Sequence, residues 1–270
     1  MKKHYLKMAD KNLPPLIEKT VTPTDKCYKL KAGDSFVLDL GNHYVGYFSF
    51  NMGYLEEYID APVRLSVKFL ERESEIDEDF SVYNGWLCRS WLQDEVINVD
   101  FPGEYKMPRR YAARYVKIEV LYSPKPLTLS GFKFTAVTSA DESKLKSADI
   151  KDPELKKIDE VATNTLKNCM QRVFEDGPKR DRRLWIGDLR LEALANYYTF
   201  GHTSLVRRIF IFLPRQTETS TDLCRATYMK TPYFSQATGI LRTTRFYTSV
   251  LFATILNTQQ TRKPSSSFIP

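Results

Sequence analysis

Thirteen consecutive residues, Asp176-Gly177-Pro178-Lys179-Arg180-Asp181-Arg182-Arg183-Leu184-Trp185-Ile186-Gly187-Asp188, bring three carboxylates, four cations and an indole together. A sugar ring offers hydroxyls around its edge and C–H groups on its faces. Carboxylates and guanidinium groups suit the edge, and an aromatic ring suits a face. The same composition also suits a solvated turn whose charges pair with one another, and such surface pairs contribute only about 0–1 kcal/mol each. Composition alone favours the turn.

The elements around this segment decide whether it is held in place. Asp152-Pro153-Glu154 sets a capping acid before a first-turn proline, a helix start. Leu155, Ile158, Ala162, Leu166, Cys169 and Val173 follow at spacings of three or four, predicting one buried stripe on a helix that runs to about Phe174. A second helix is expected from near Asp188 through Leu191, Leu194, Ala195 and Tyr198, stopping at Gly201. The charged segment is then the loop between two helices.

Residues 1–140 are β-rich by pattern. Val63, Leu65, Val67 and Phe69 alternate with polar residues, as do Val116, Ile118 and Val120. Further strands are expected at Ser35–Leu40, Val45–Met52, Glu95–Val99 and Phe132–Val137, favouring a sandwich or jelly roll. Residues 141–151 are polar and read as a linker. Trp86 and Trp91 are core residues on ordinary expectation, or else a platform for stacking on a pyranose.

The bulk properties narrow the function classes. Hydrophobic residues at 42% and charged residues at 27% exclude a disordered chain. No apolar run reaches the length of a membrane span, and Met8-Ala9-Asp10-Lys11 follows the basic start where a secretory signal would be apolar. A cytoplasmic location and no membrane partner are therefore expected. Cys27, Cys88, Cys169 and Cys224 are widely separated and the chain has three histidines, so reduced thiols and no metal site are expected. With few glycines there is no phosphate-cradling loop, and no cofactor is implied. The net charge of +7 arises mainly in residues 209–270, where seven basic residues face only Glu218 and Asp222. No nucleic-acid partner is inferred from it.

The loop resembles the signature of the α-L-rhamnosidase-like glycoside hydrolases, roughly D-x-P-x-R-D-E-R followed by W-x-G-D, at the first hairpin of a six-hairpin α/α toroid. Asp176, Pro178, Arg180, Asp181, Arg183, Trp185, Gly187 and Asp188 match it, the flanking Gln171–Glu175 and Leu189–Tyr197 are similar, and the β-rich half is similar to the family's accessory sandwich. The resemblance implies a mixed architecture, all-β then all-α: a jelly-roll-like β-sandwich followed by the first helices of an incomplete toroid. It implies that Asp176, Arg180 and Asp188 contact the bound sugar, with Trp185 beside them. It also implies inverting hydrolysis of α-L-rhamnosides or related deoxysugars, and a rhamnose-containing oligosaccharide or glycoside as partner. Arg182 departs from the pattern. The family position carries a glutamate as general acid, and a guanidinium that never releases its proton cannot replace it. Asp181 or another carboxylate is the candidate for that role, and nothing in the sequence chooses between them. The second carboxylate of an inverting pair stands about 6.5–9.5 Å away and comes from much later in the family's sequence.

The toroid needs about twelve helices, and roughly two are expected here, in residues 152–208. Residues 209–270 hold twelve threonines and keep no helical or strand period for long. They are read as an out-of-frame or disordered tail. A one-base shift near Arg207–Ile209 would regroup them into strings with acids and with apolar residues at helical spacing. Two functions follow: a truncated, inactive fragment of a rhamnoside hydrolase, or a non-catalytic carbohydrate-binding module.

Overall fold

A computed structural model describes residues 15–55, 58–100, 102–212 and 227–228. Residues 1–14, Cys224 and most of the expected tail lie outside them. The β-rich half is an eight-stranded antiparallel sheet. Its strands are β1 (Ile17–Val21), β2 (Tyr28–Leu30), β3 (Ser35–Tyr54), β4 (Val63–Leu70), β5 (Asp94–Val99), β6 (Gly103–Lys106), β7 (Tyr111–Tyr122) and β8 (Leu127–Thr138). The order is β1-β8-β3-β7-β4-β5, with β2 also on β8 and β6 also on β3.

The two strands expected at Ser35–Leu40 and Val45–Met52 are one. Strand β3 carries a register shift between Asp39 and Tyr44. At the bend Gly41 has a positive φ and donates its N–H to Asp39 Oδ1. This irregularity lets β3 pair with β7 in its first half and with β8 and β6 in its second. Gly46 lies where β3 crosses β8: a Cβ there would fall 2.1 Å from the Thr135 carbonyl oxygen. The period-two residues of β4 and β7 face a core with Phe48, Phe50, Phe132 and Phe134, and Phe69 stacks on Tyr111 at 3.7 Å. Each large apolar side chain buried there contributes about 1.5–3 kcal/mol.

Residues 141–151 leave the sheet through a short 3-10 turn at Glu142–Lys144, capped by Asp141. The Lys146 N–H donates to the Thr199 carbonyl at 3.1 Å. Helix α1 spans Pro153–Cys169, and Asp152 accepts from the N–H groups of Glu154 and Leu155 as its sequence predicts. It stops five residues before the expected Phe174. The Thr138 hydroxyl at the end of β8 meets the carbonyls of Lys167 and Met170, satisfying the helix end from outside. The chain then turns sharply, and the Gln171 amide donates to the Val137 carbonyl at 2.7 Å.

The buried stripe is only half present. Leu166 is buried, whereas Leu155, Ile158 and Val161 are 56–60% exposed because no described element covers the first half of α1. Strand β9 (Leu184–Trp185) leads into α2 (Ile186–Tyr198), which starts two residues earlier than expected. A third helix, α3 (Thr203–Phe212), is absent from the sequence expectation; it follows Gly201 and crosses residue 208, the expected end of the helical part. Leu205, Val206 and Ile209 on α3 join Leu166, Met170, Phe174, Leu184 and Leu189 in a second core. Strand β10 (Thr227–Tyr228), inside the expected tail, pairs antiparallel with β9.

Candidate functional site

The charged segment is a closed turn tied to both cores. Asp176 and Arg183 form an antiparallel bridge, the Asp176 N–H donating to the Arg183 carbonyl at 2.9 Å. Between them, the N–H groups of Arg180 and Arg182 both donate to the Gly177 carbonyl, at 2.8 and 3.2 Å. Closing so tight a loop needs left-handed backbone at Gly177 and at Arg182, whose φ is 55°. The Asp176 carboxylate pairs with the Arg180 guanidinium across one face.

Asp181 turns inward. Its side chain is 3% exposed, and it accepts from the Trp185 indole N–H at 3.2 Å and from the Arg183 N–H at 3.4 Å. A carboxylate so engaged fixes the indole against the loop. Asp188 stands exposed in the first turn of α2, where the helix dipole favours an anion. Thus Asp176, Arg180, Trp185 and Asp188, the expected sugar contacts, belong to one folded unit. Arg182 leaves that face: its Nε donates to the Pro178 carbonyl at 3.0 Å and its Nη2 to the Arg110 carbonyl. Burial, with Arg110 and Arg109 close by, pulls its pKa down to about 10.

Trp86 and Trp91 do not share the core role expected of them. Trp86 is 91% exposed, in a long irregular connection between β4 and β5, and Trp91 is half-buried. Cavities of about 240 and 260 Å³ lie by β8 and α1 and by the linker; neither is lined by a residue of the charged loop. Among the described residues no cluster of His, Cys, Asp and Glu is arranged to hold a metal ion.

Residues 17–139 match the glycosyl hydrolase family 78 alpha-rhamnosidase N-terminal domain, and residues 144–239 match the bacterial alpha-L-rhamnosidase 6 hairpin glycosidase domain. The chain belongs to the α-L-rhamnosidase-like glycoside hydrolases. It is similar to a structure of a rhamnosidase from Klebsiella oxytoca with rhamnose bound, at 36% identity and a TM-score of 0.85, over 95% of this chain and 55% of that one. A family 78 rhamnosidase of Bacillus sp. GL1 shares the fold at 22% identity and a TM-score of 0.59, over 77% of this chain and 20% of that one. No curated protein matches. The chain thus spans about half the length of the Klebsiella rhamnosidase. The six-hairpin match runs beyond residue 208, into the expected tail.

In this rhamnosidase-family chain the loop meets a carboxyl that lies outside the sequence motif. Glu192 lies four residues after Asp188, one turn along the same face of α2. Burial and the nearby charges of Asp188 and Asp176 push its pKa up to about 8. Among the described residues its enclosed Oε2 has no hydrogen-bond partner. Asp176 is raised for the same reasons: burial first, then Asp188 and Asp181, with Arg180 opposing. Cys169 at the end of α1 is pushed up to about 12 by burial, Glu192 and Asp176. The loop therefore presents an acidic face in which one carboxyl holds a proton at neutral pH while Asp188 lies open to solvent. The spacing from Asp188 on a helix is the sequence signal that points to Glu192.

Proposed function

We propose that this chain carries the rhamnose-recognising loop of an α-L-rhamnoside-hydrolysing site of the inverting type. The observation that carries the reading is the single folded unit made by Asp176, Arg180, Trp185 and Asp188. The likeness to a rhamnose-bound rhamnosidase over 95% of the chain supports it. Asp176 and Asp188 accept from sugar hydroxyls, Arg180 donates to them while neutralising Asp176, and the indole of Trp185 offers an apolar face beside them. Arg182 supplies no proton, since its guanidinium is spent on two backbone carbonyls. Of the carboxyls here Glu192 retains a proton at neutral pH, the state a general acid requires. In the family the water-activating partner of an inverting pair comes from much later in the sequence than this loop. The chain by itself therefore binds rhamnose and turns over poorly.

Titration calorimetry with L-rhamnose, beside an assay with an aryl α-L-rhamnoside, tests this. The expected result is binding heat, with an affinity that Asp188→Asn weakens at least tenfold, and hydrolysis at the uncatalysed rate. No heat from the unaltered chain would refute the reading, and rapid hydrolysis would refute the inactive chain. A second reading, a non-catalytic sugar-binding module, is favoured by the exposure of Trp86. It requires Trp86→Ala, and not Asp188→Asn, to abolish the heat.

A further inference from the structure

The loop is gripped from outside the helical part at three points. Before Asp176, the buried Glu175 carboxylate accepts from Arg110 Nη2 at 2.5 Å, while Arg110 Nη1 donates to Gln171 Oε1 at 2.9 Å. At the turn, the buried Gln93 donates Nε2 to the Lys179 carbonyl at 3.1 Å and accepts the Ala112 N–H on Oε1 at 2.9 Å. Lys179 Nζ reaches Glu75 at 3.0 Å and Glu71 at 3.8 Å. After the turn, Arg182 donates to the Arg110 carbonyl. Arg110, Gln93, Glu71 and Glu75 all belong to the β-sheet half.

Taking two guanidinium groups and a carboxylate out of water is a poor way to gain stability, because apolar residues of similar volume serve as well or better. What such a network does specify is geometry. Each anchor meets the loop at a different place, so together they fix its position and its twist. We infer that Arg110, Gln93 and Arg182 are positioning residues, through which the β-sheet half holds the Asp176–Asp188 loop in the form that recognises the sugar. The inference rests on the rhamnoside reading of that loop. Arg182, which stands at the family's acid position, thereby acts as a latch to the neighbouring half.

The full chain and its Gln93→Ala, Arg182→Ala and Arg182→Lys variants decide this by two readouts. Amide hydrogen exchange reports the loop directly, through the N–H groups of Asp176, Arg180 and Arg182, with Val67 and Ile118 in the sheet as references. L-rhamnose calorimetry reports the consequence. The expected result is exchange at least tenfold faster in the loop, unchanged at Val67 and Ile118, with rhamnose affinity at least tenfold weaker in both alanine variants and partly restored in Arg182→Lys. Unchanged loop exchange in both alanine variants overturns the inference. So does rhamnose affinity that stays at the parent value while the loop exchanges faster. If the parent gives no rhamnose heat, the sugar reading fails and takes the recognition role with it, while the exchange data still decide whether the β-sheet half holds the loop.

Discussion

At the scale of single residues, the most consequential group is the one the motif does not contain. Glu192 shares its environment with Asp188 and Asp176, and burial alone would already oppose its ionisation. Between its ordinary value of 4.5 and the folded value of about 8, the folded chain holds a proton there that the unfolded chain has released. Stability from this group is therefore greatest below pH 4.5 and is lost as pH rises towards 8, at up to about 1.4 kcal/mol per pH unit. Asp176 is shifted in the same direction and adds to the slope. Glu71 is lowered by His43 and Lys179 against its burial, so its influence lies at more acid pH and does not mask the effect. Glu192→Gln replaces the carboxyl with a neutral group of the same shape. Urea denaturation midpoints between pH 6.5 and 8, above the range in which the lowered pKa of the half-buried His202 acts in the opposite sense, should fall with pH in the parent and fall less steeply in the variant. Equal slopes would show that Glu192 ionises without cost.

At the scale of elements, the strands are legible in the sequence because half-buried sheet imposes a strict alternation, as in Val63–Phe69 and Val116–Val120. The cap of α1 is legible for an equally local reason, the Asp152 carboxylate facing two free N–H groups. Its end is not, because the partners that stop it, Thr138 and Val137, come from β8. Helix α3 is hidden in a short apolar run just after Gly201, whose burial depends on α1 and α2. The loop's chemistry is visible in residue types, but the inward turn of Asp181 and the outward latch of Arg182 depend on the left-handed Arg182 backbone. Strand β3 offers the test at this scale. A methyl group on Gly46 would meet the Thr135 carbonyl at 2.1 Å and the Ala136 Cα at 2.7 Å, both backbone atoms. Gly46→Ala should cost about 1–3 kcal/mol or more through forced separation of β3 and β8. Thermal melting followed by circular dichroism should show the sheet transition move down by several degrees. An unchanged midpoint would mean that the crossing is looser than these distances require.

At the scale of the whole molecule, two cores meet along a polar seam, and their outer surfaces differ. The sheet core is built from residues of its own strands and connections. The helical core is covered on one side only: Leu155, Ile158 and Val161 project from α1, and Leu191 and Tyr198 project from α2. Apolar residues repeated at helical spacing, as Leu155, Ile158 and Val161 are on α1, make a patch of the kind that monomeric proteins seldom leave in water. Helices need a second layer over such a face, and among the described residues none is present. The expected outcome is self-association driven by apolar burial on this patch and not weakened by salt. Sedimentation velocity over a hundredfold range of concentration should show larger species for the parent. The double variant Leu155→Glu with Ile158→Glu should remain monomeric, because both positions are solvated and charges there meet no desolvation penalty. Association that weakens with added salt and survives the double variant would instead locate the contact on the charged surfaces and overturn the role of the apolar face.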